Sequence, residues 1–201
     1  MKIVNLIEQM YRNSESIVRV RGNASEPFPV ETGVKQGALL SPFLFNIVLD
    51  VVLEHALADF DGIKVDEGNG VTDLDYADDI ALLAETAAEM QLMVDSLKDC
   101  AAAMGLIISA EKTKSMRSPE VDRTPILLSG QPLADVSSFC YLGSTLSIDG
   151  DASVEIHTRL AKARNAFSML HDHLGRSQEV NKATKLRVFN VLVRPVLLYA
   201  C

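Results

Sequence analysis

Between Val71 and Ala84 two short apolar runs are separated by the acid pair Asp78-Asp79. Apolar segments of that length on either side of a polar break predict a strand, a tight turn and a second strand. Two adjacent carboxylates repel each other, and a crowded pair is tolerable mainly when a cation neutralises it. An Asp-Asp turn is also ordinary polar surface, so the pair constrains the local fold more tightly than it constrains the chemistry.

The rest of the chain supplies helices around this hairpin. Ile3, Leu6, Ile7 and Met10 recur at helical spacing over residues 2 to 12. Ser16 to Arg21 alternate as a short strand before a loop from Gly22 to Thr32 marked by Pro27 and Pro29. Ser41-Pro42 has the form of a helix start, serine as N-cap and proline at the first helical position. The stretch that follows, to about Ala58, is apolar nearly all round and predicts a buried helix. Met90, Met93, Val94, Leu97 and Ala101 predict a helix over Thr86 to Met104, closed by Gly105. Leu106 to Ser109 is a strand candidate, and Ser138 to Leu146 fits a strand pair around Gly143. Asp151 to Leu174 and Gln178 to Val193 read as two basic helices split by Gly175, the second ending near Pro195. The order of elements is α+β, and 201 residues allow one substantial domain, or a domain with a small appendage.

The net charge of −8 argues against a nucleic-acid binder until its distribution is considered. Residues 50 to 99 hold fourteen acids against Lys64 and Lys98. From Thr158 onward eight bases, Arg159, Lys162, Arg164, Arg176, Lys182, Lys185, Arg187 and Arg194, face only Asp172 and Glu179. An acidic middle suits cations and a basic tail suits phosphates, although each is also an ordinary solvated surface. The longest apolar stretches, Ile80 to Ala84, Cys100 to Met104 and Val196 to Cys201, are far short of a membrane span. Glu8 interrupts any secretory signal, and Cys100, Cys140 and Cys201 are too few and too scattered for a disulfide framework. An intracellular location, cytoplasmic or nuclear, with no membrane and no disulfide partner, is the expectation.

Four segments stand in a distinctive order. Val34-Lys35-Gln36-Gly37-Ala38-Leu39-Leu40-Ser41-Pro42-Phe43-Leu44-Phe45-Asn46 resembles the segment of non-LTR (LINE-type) retrotransposon reverse transcriptases in which a glutamine-glycine pair precedes a helix under the template and incoming nucleotide. Tyr76-Ala77-Asp78-Asp79 is similar to that family's metal-binding acid box. Gly105-Leu106 followed by Glu111-Lys112-Thr113-Lys114 resembles its next motif, and Tyr141-Leu142-Gly143-Ser144 resembles its primer-grip hairpin. Each motif alone is weak, whereas the ordered set over residues 2 to 195 is specific.

The resemblance implies a right-hand polymerase palm, an antiparallel sheet with packed helices, truncated over residues 1–150, with a partial thumb of basic helices over 151–201. It implies RNA-directed DNA polymerase chemistry with Mg²⁺, an RNA template, a DNA primer and deoxynucleotides. Asp78 and Asp79 would hold the metal and Lys112 would assist at the phosphates. Gln36, Gly37 and Tyr76 would contact nucleotide or template, and Tyr141, Leu142 and Gly143 the primer. The residue chemistry agrees: carboxylates are hard ligands suited to Mg²⁺, Gln36 both donates and accepts, and a lysine can supply charge or a proton to pyrophosphate. His171-Asp172-His173, two apart on a helix, do not converge and read as surface.

One element of the pattern is missing. The family places its first catalytic aspartate on a strand upstream of the glutamine-glycine pair, and no aspartate lies between Met1 and Gln36. Glu8, Glu15, Glu26 and Glu31 lack the apolar strand and following aromatic residue of that motif. The expectation is therefore a fragment that starts downstream of that aspartate, inactive by itself. The alternative is a non-catalytic, nucleic-acid-binding remnant.

Overall fold

The computed structural model of the chain describes residues 2–66, 69–175 and 177–199. Two compact units result, Met1–Glu85 with Glu89–Ile108, and Thr86–Ala88 with Ser109–Cys201. Arg176 of the basic tail, Glu67 of the acidic stretch, and Ala200 and Cys201 of the last apolar run lie outside the described residues.

In the first unit α1 (Lys2–Tyr11) forms as its spacing predicts, yet buries none of its residues. The strand expected over Ser16 to Arg21 is broken into two short ladders, Glu15–Ser16 with Phe28–Pro29 and Arg19–Val20 with Asn23–Ala24. Between them Val18 donates its N–H to the Ser25 hydroxyl at 3.0 Å and accepts from the Ser25 N–H at 2.9 Å, so a side chain takes a place a strand partner would fill.

Helix α2 (Ser41–Leu57) starts where expected with a different cap. Leu40 occupies the N-cap position without a side-chain bond, and Ser41 is buried in the first turn. Its hydroxyl donates back to the Lys35 carbonyl at 2.5 Å. Leu49, Val52, Leu53, Ala56 and Leu57 form one buried stripe, whereas Phe43 stays 69% exposed, so burial on all sides is not what the structure shows. The elements that cover α2 lie along the stripe only.

Chief among them is α3 (Ala87–Ala103), which adds Met93, Leu97 and Ala101 to the same core. The Ser96 hydroxyl donates to the Ala56 carbonyl at 2.8 Å and pins the two helices together. At the end of α3 the Leu106 N–H reaches the Ala101 carbonyl (2.9 Å) and the Gly105 N–H the Ala102 carbonyl (3.0 Å), a Schellman closure. Leu106 and Ile108 fold onto the core, so Leu106 to Ser109 is an extended tail, not the expected strand.

Two hairpins complete the unit, Ile63–Asp66 with Asn69–Val71 and Asp73–Tyr76 with Asp79–Leu82. Ile80, Leu82 and Ala84 pack against the α2–α3 core, as the apolar runs around the acid pair imply.

The second unit holds a parallel ladder, Lys114–Ser115 with Ala134–Asp135, and a hairpin, Leu127–Leu128 with Gln131–Pro132. Arg117 ties this segment together: its Nη2 donates to both Asp135 oxygens at 2.7 Å and its Nη1 to the Asp122 and Thr124 carbonyls at 2.9 and 2.6 Å. The predicted strand pair is present as Ser138–Tyr141 with Ser144–Ser147. After it come α4 (Ser153–Leu170), a π-helical turn His171–Gly175, α5 (Lys182–Leu192) and the short α6 (Arg194–Leu197). Helix α5 begins at Lys182, not near Gln178, because Asn181 caps it by accepting the Thr184 N–H at 2.8 Å. Pro195 sits in the first turn of α6, where its missing N–H costs nothing.

The architecture is α+β. Every sheet among the described residues has two strands. Among the same residues no helix is long and apolar enough to cross a membrane.

Candidate active site and nucleic-acid interface

The acid hairpin closes with Tyr76 opposite Asp79, leaving Ala77 and Asp78 as its two-residue loop. Ala77 has φ +55°, in the left-handed region, which costs an L-residue about 1–2 kcal/mol. Alternation along the return strand puts Ile80 and Leu82 on the core side. Asp79 and its cross-strand neighbour Tyr76 are thereby turned to the opposite face, and Tyr76 is 66% exposed. Asp78 stands at the tip, and both carboxylates are exposed. Burial of two apolar side chains thus fixes where two acidic ones are presented.

Exposed carboxylates are hard oxygen donors of the kind that Mg²⁺ accepts. Two carboxylates leave the remaining positions of a Mg²⁺ ion to water and phosphate oxygens, its usual preference. Among the described residues no group of three or more His, Cys, Asp or Glu side chains is arranged to hold a metal. Asp73, upstream on the hairpin, is engaged by the Thr72 hydroxyl at 2.7 Å.

Gln36 and Gly37 are the central pair of a turn closed by the Ala38 N–H on the Lys35 carbonyl at 3.1 Å. Gly37 has φ +83°, the positive value that a type II turn requires at this position. An added Cβ there would meet nothing within 4 Å, so conformation, not crowding, demands glycine. The turn is anchored behind: the Lys35 ammonium donates to the Met10 carbonyl at 3.1 Å and lies 5.6 Å from the Tyr11 ring centre. Both turn residues face solvent.

Lys112 is exposed in a turn of the second unit, closed by the Thr113 N–H on the Ser109 carbonyl at 3.0 Å. The structure therefore joins Tyr76, Asp78 and Asp79 on one hairpin and Gln36 with Gly37 on one turn of the first unit, while Lys112 belongs to the second.

The second unit also presents Tyr141, Leu142 and Gly143. Tyr141 pairs with Ser144, and Leu142 (φ +49°) and Gly143 (φ +81°) form the loop between them, a type I′ combination. Three residues that the motifs did not single out surround this tip. Glu155, in the first turn of α4, accepts the Thr145 N–H at 2.6 Å and pairs with Arg159 one helical turn on. Tyr199 donates its hydroxyl to the Leu142 carbonyl at 2.9 Å. The Arg159 guanidinium, followed by the Thr145 N–H, holds the Glu155 carboxyl down at about 2. The four-residue spacing of Glu155 and Arg159 was a visible signal of a helical pair, but not of its burial.

The basic surface is smaller than the charge count implies. Arg159 is 7% exposed and committed to Glu155. Lys185 donates to the Gly175 and Ser177 carbonyls at 2.9 and 2.6 Å. Lys162, Arg164, Lys182, Arg187 and Arg194 remain exposed. His171 leans on Phe167, with ring centres 6.0 Å apart.

The sequence model of the family described as reverse transcriptase (RNA-dependent DNA polymerase) matches residues 1–146. The chain is 36% identical over 110 residues, 54% of its length, to the Retrovirus-related Pol polyprotein from type-2 retrotransposable element R2DM of Drosophila melanogaster. It is 28% identical over 173 residues, 81% of the chain, to the corresponding polyprotein from type-1 element R2 of Popillia japonica. It is 24% identical over 212 aligned positions, 99% of the chain, to the RNA-directed DNA polymerase from mobile element jockey of Drosophila funebris. The aligned regions span 10%, 28% and 22% of those relatives' own lengths.

Proposed function

This chain belongs to the reverse transcriptase family and is homologous to retrotransposon Pol proteins, and from that premise we propose that it forms part of an RNA-directed DNA polymerase centre. The observation that carries the reading is the acid hairpin: packing of Ile80 and Leu82 on the α2–α3 core presents Asp78 and Asp79 to solvent at its end. The reaction is template-directed addition of a deoxynucleotide to a primer 3′ end, in an intracellular setting. Asp78 and Asp79 hold Mg²⁺, which when bound supplies charge stabilisation at the reacting phosphate. Tyr76 and the Gln36–Gly37 turn contact the nucleotide and template strand, Lys112 supplies positive charge to the leaving pyrophosphate, and Tyr141, Leu142 and Gly143 contact the primer backbone. Residues 1–150 correspond to a partial palm, and 151–201 to thumb-like helices.

A second reading is favoured by one observation, the exposure of Lys162, Arg164, Lys182 and Arg187 along α4 and α5. On it the chain binds nucleic acid through the exposed bases of α4 and α5 and holds no catalytic ion. Anisotropy with a labelled primer on an RNA template separates the two. With deoxynucleotide present, Mg²⁺-dependent tightening that Asp78→Asn abolishes supports the polymerase centre, whereas affinity independent of both Mg²⁺ and Asp78 supports the second reading.

A further inference from the structure

At the Leu142–Gly143 loop a hairpin tip, a buried ion pair and an aromatic side chain from far along the chain converge. Leu142, a bulky residue, takes φ +49°, which its own chemistry opposes. Such strain persists only where the surroundings over-determine it. The surroundings here are explicit. Tyr199, 57 residues on, binds the Leu142 carbonyl at 2.9 Å. Its ring lies against Gly143, where an added Cβ would come within 3.4 Å of Cε1. The Arg159 guanidinium sits 6.0 Å from the centre of that ring and reaches the Ser144 hydroxyl at 3.3 Å. Glu155 balances the Arg159 charge and receives the Thr145 N–H.

The connection from hairpin to helix is equally fixed. The Ser147 hydroxyl (2.6 Å) and the Asp151 N–H (3.1 Å) both donate to one Asp149 oxygen. The Ser153 N–H and hydroxyl donate to Asp151 at 2.9 and 2.6 Å. Hairpin and α4 therefore behave as one piece, and Tyr199 closes it from the far end.

A type I′ loop leaves the N–H groups of its two central residues outside the strand ladder. We propose that Glu155, Arg159 and Tyr199 are positioning residues that hold the Leu142 and Gly143 N–H groups towards a phosphodiester of the primer strand. This rests on the reading of the hairpin as the primer contact. Arg159, counted among the phosphate-binding bases by charge alone, acts on nucleic acid only through the loop. Tyr199 supplies the part that is easiest to remove, because Tyr199→Phe keeps the ring against Gly143 and deletes only the bond to Leu142.

The test is fluorescence anisotropy on the full chain with two probes, an RNA template carrying a recessed DNA primer and the same RNA single-stranded. Thermal melts run alongside. The wild type binds the recessed duplex more tightly than the single strand. Tyr199→Phe weakens duplex binding about fivefold, the loss that one hydrogen bond transmits, and leaves single-strand binding unchanged. Ser144→Ala, which removes the other anchor on Arg159, shifts the same ratio in the same direction. If the wild type shows no preference for the duplex, the primer reading falls and the inference with it. If the preference exists and both variants keep it, or both probes weaken alike, the inference alone is overturned.

Discussion

Lys185 donates its ammonium to the Ser177 carbonyl at 2.6 Å, and to Gly175 at 2.9 Å, so a residue that reads as phosphate-binding in the sequence serves instead to fasten the segment before α5. Salt dependence of RNA binding separates the two roles. Each lysine or arginine on a phosphate adds roughly 0.7 to the slope of log affinity against log salt for a single strand. Single alanine substitutions at Lys162, Arg164, Lys182, Arg187 or Arg194 are expected to lower that slope. Lys185→Ala is expected to lower the thermal midpoint and leave the slope unchanged. A slope unaffected by all five would remove the basic helices from the interface.

The Glu155 carboxyl offers a pH test. Its folded value of about 2 lies below the ordinary 4.5, chiefly because of the Arg159 guanidinium. A depressed carboxylate contributes stability that is fully present above the ordinary value and lost as pH falls through the folded one. The stability advantage of wild type over Glu155→Gln should therefore stay constant down to about pH 5 and shrink between about 4.5 and 2. Paired thermal melts across that range measure it, and an advantage that grows with acid would contradict the assignment.

Core packing predicts a contrast. Met93 is fully buried between α2 and α3, while Phe43 is exposed on the same unit. Met93→Ala should cost about 2–5 kcal/mol. Phe43→Ser should fall within about 0.5 kcal/mol of wild type. Denaturant midpoints read both.

How much of this was legible depended on whether a pattern was local. The acid hairpin follows from apolar runs flanking Asp78-Asp79, and the end of α3 from Gly105, because turn and cap chemistry act over a few residues. The strand expected at Leu106 did not form: Leu106 and Ile108 pack on the α2–α3 core and Ile107 is exposed, but among the described residues no neighbouring strand pairs with the segment, and no short window shows a pairing partner. The cap expected of Ser41 failed because its hydroxyl was drawn to Lys35 six residues back. At the site, Tyr141 to Gly143 were visible as a motif, but Tyr199 was not. Nothing near Tyr199 in sequence announces a partner 57 residues away.

Expressed as these 201 residues, the chain is expected to give no primer extension above background. Asp78 and Asp79 approach from a single turn, no aspartate lies between Met1 and Gln36, and two-ion transfer needs carboxylates that bridge both ions. Extension on an RNA template with Mg²⁺ or Mn²⁺, compared with Asp78→Ala, is the assay. Robust synthesis that the substitution abolishes would show that fewer carboxylates suffice.

If the Asp78–Asp79 turn is a divalent-ion site and not merely polar surface, Mn²⁺ titration followed as paramagnetic broadening of backbone amide signals reveals it. Fourteen acids lie between residues 50 and 99, so a non-specific ion would broaden that whole stretch. Amides of residues 76 to 80 are expected to broaden first, and Asp78→Asn to abolish this priority. Broadening spread evenly over the acidic stretch, or unchanged in Asp78→Asn, would contradict such a site.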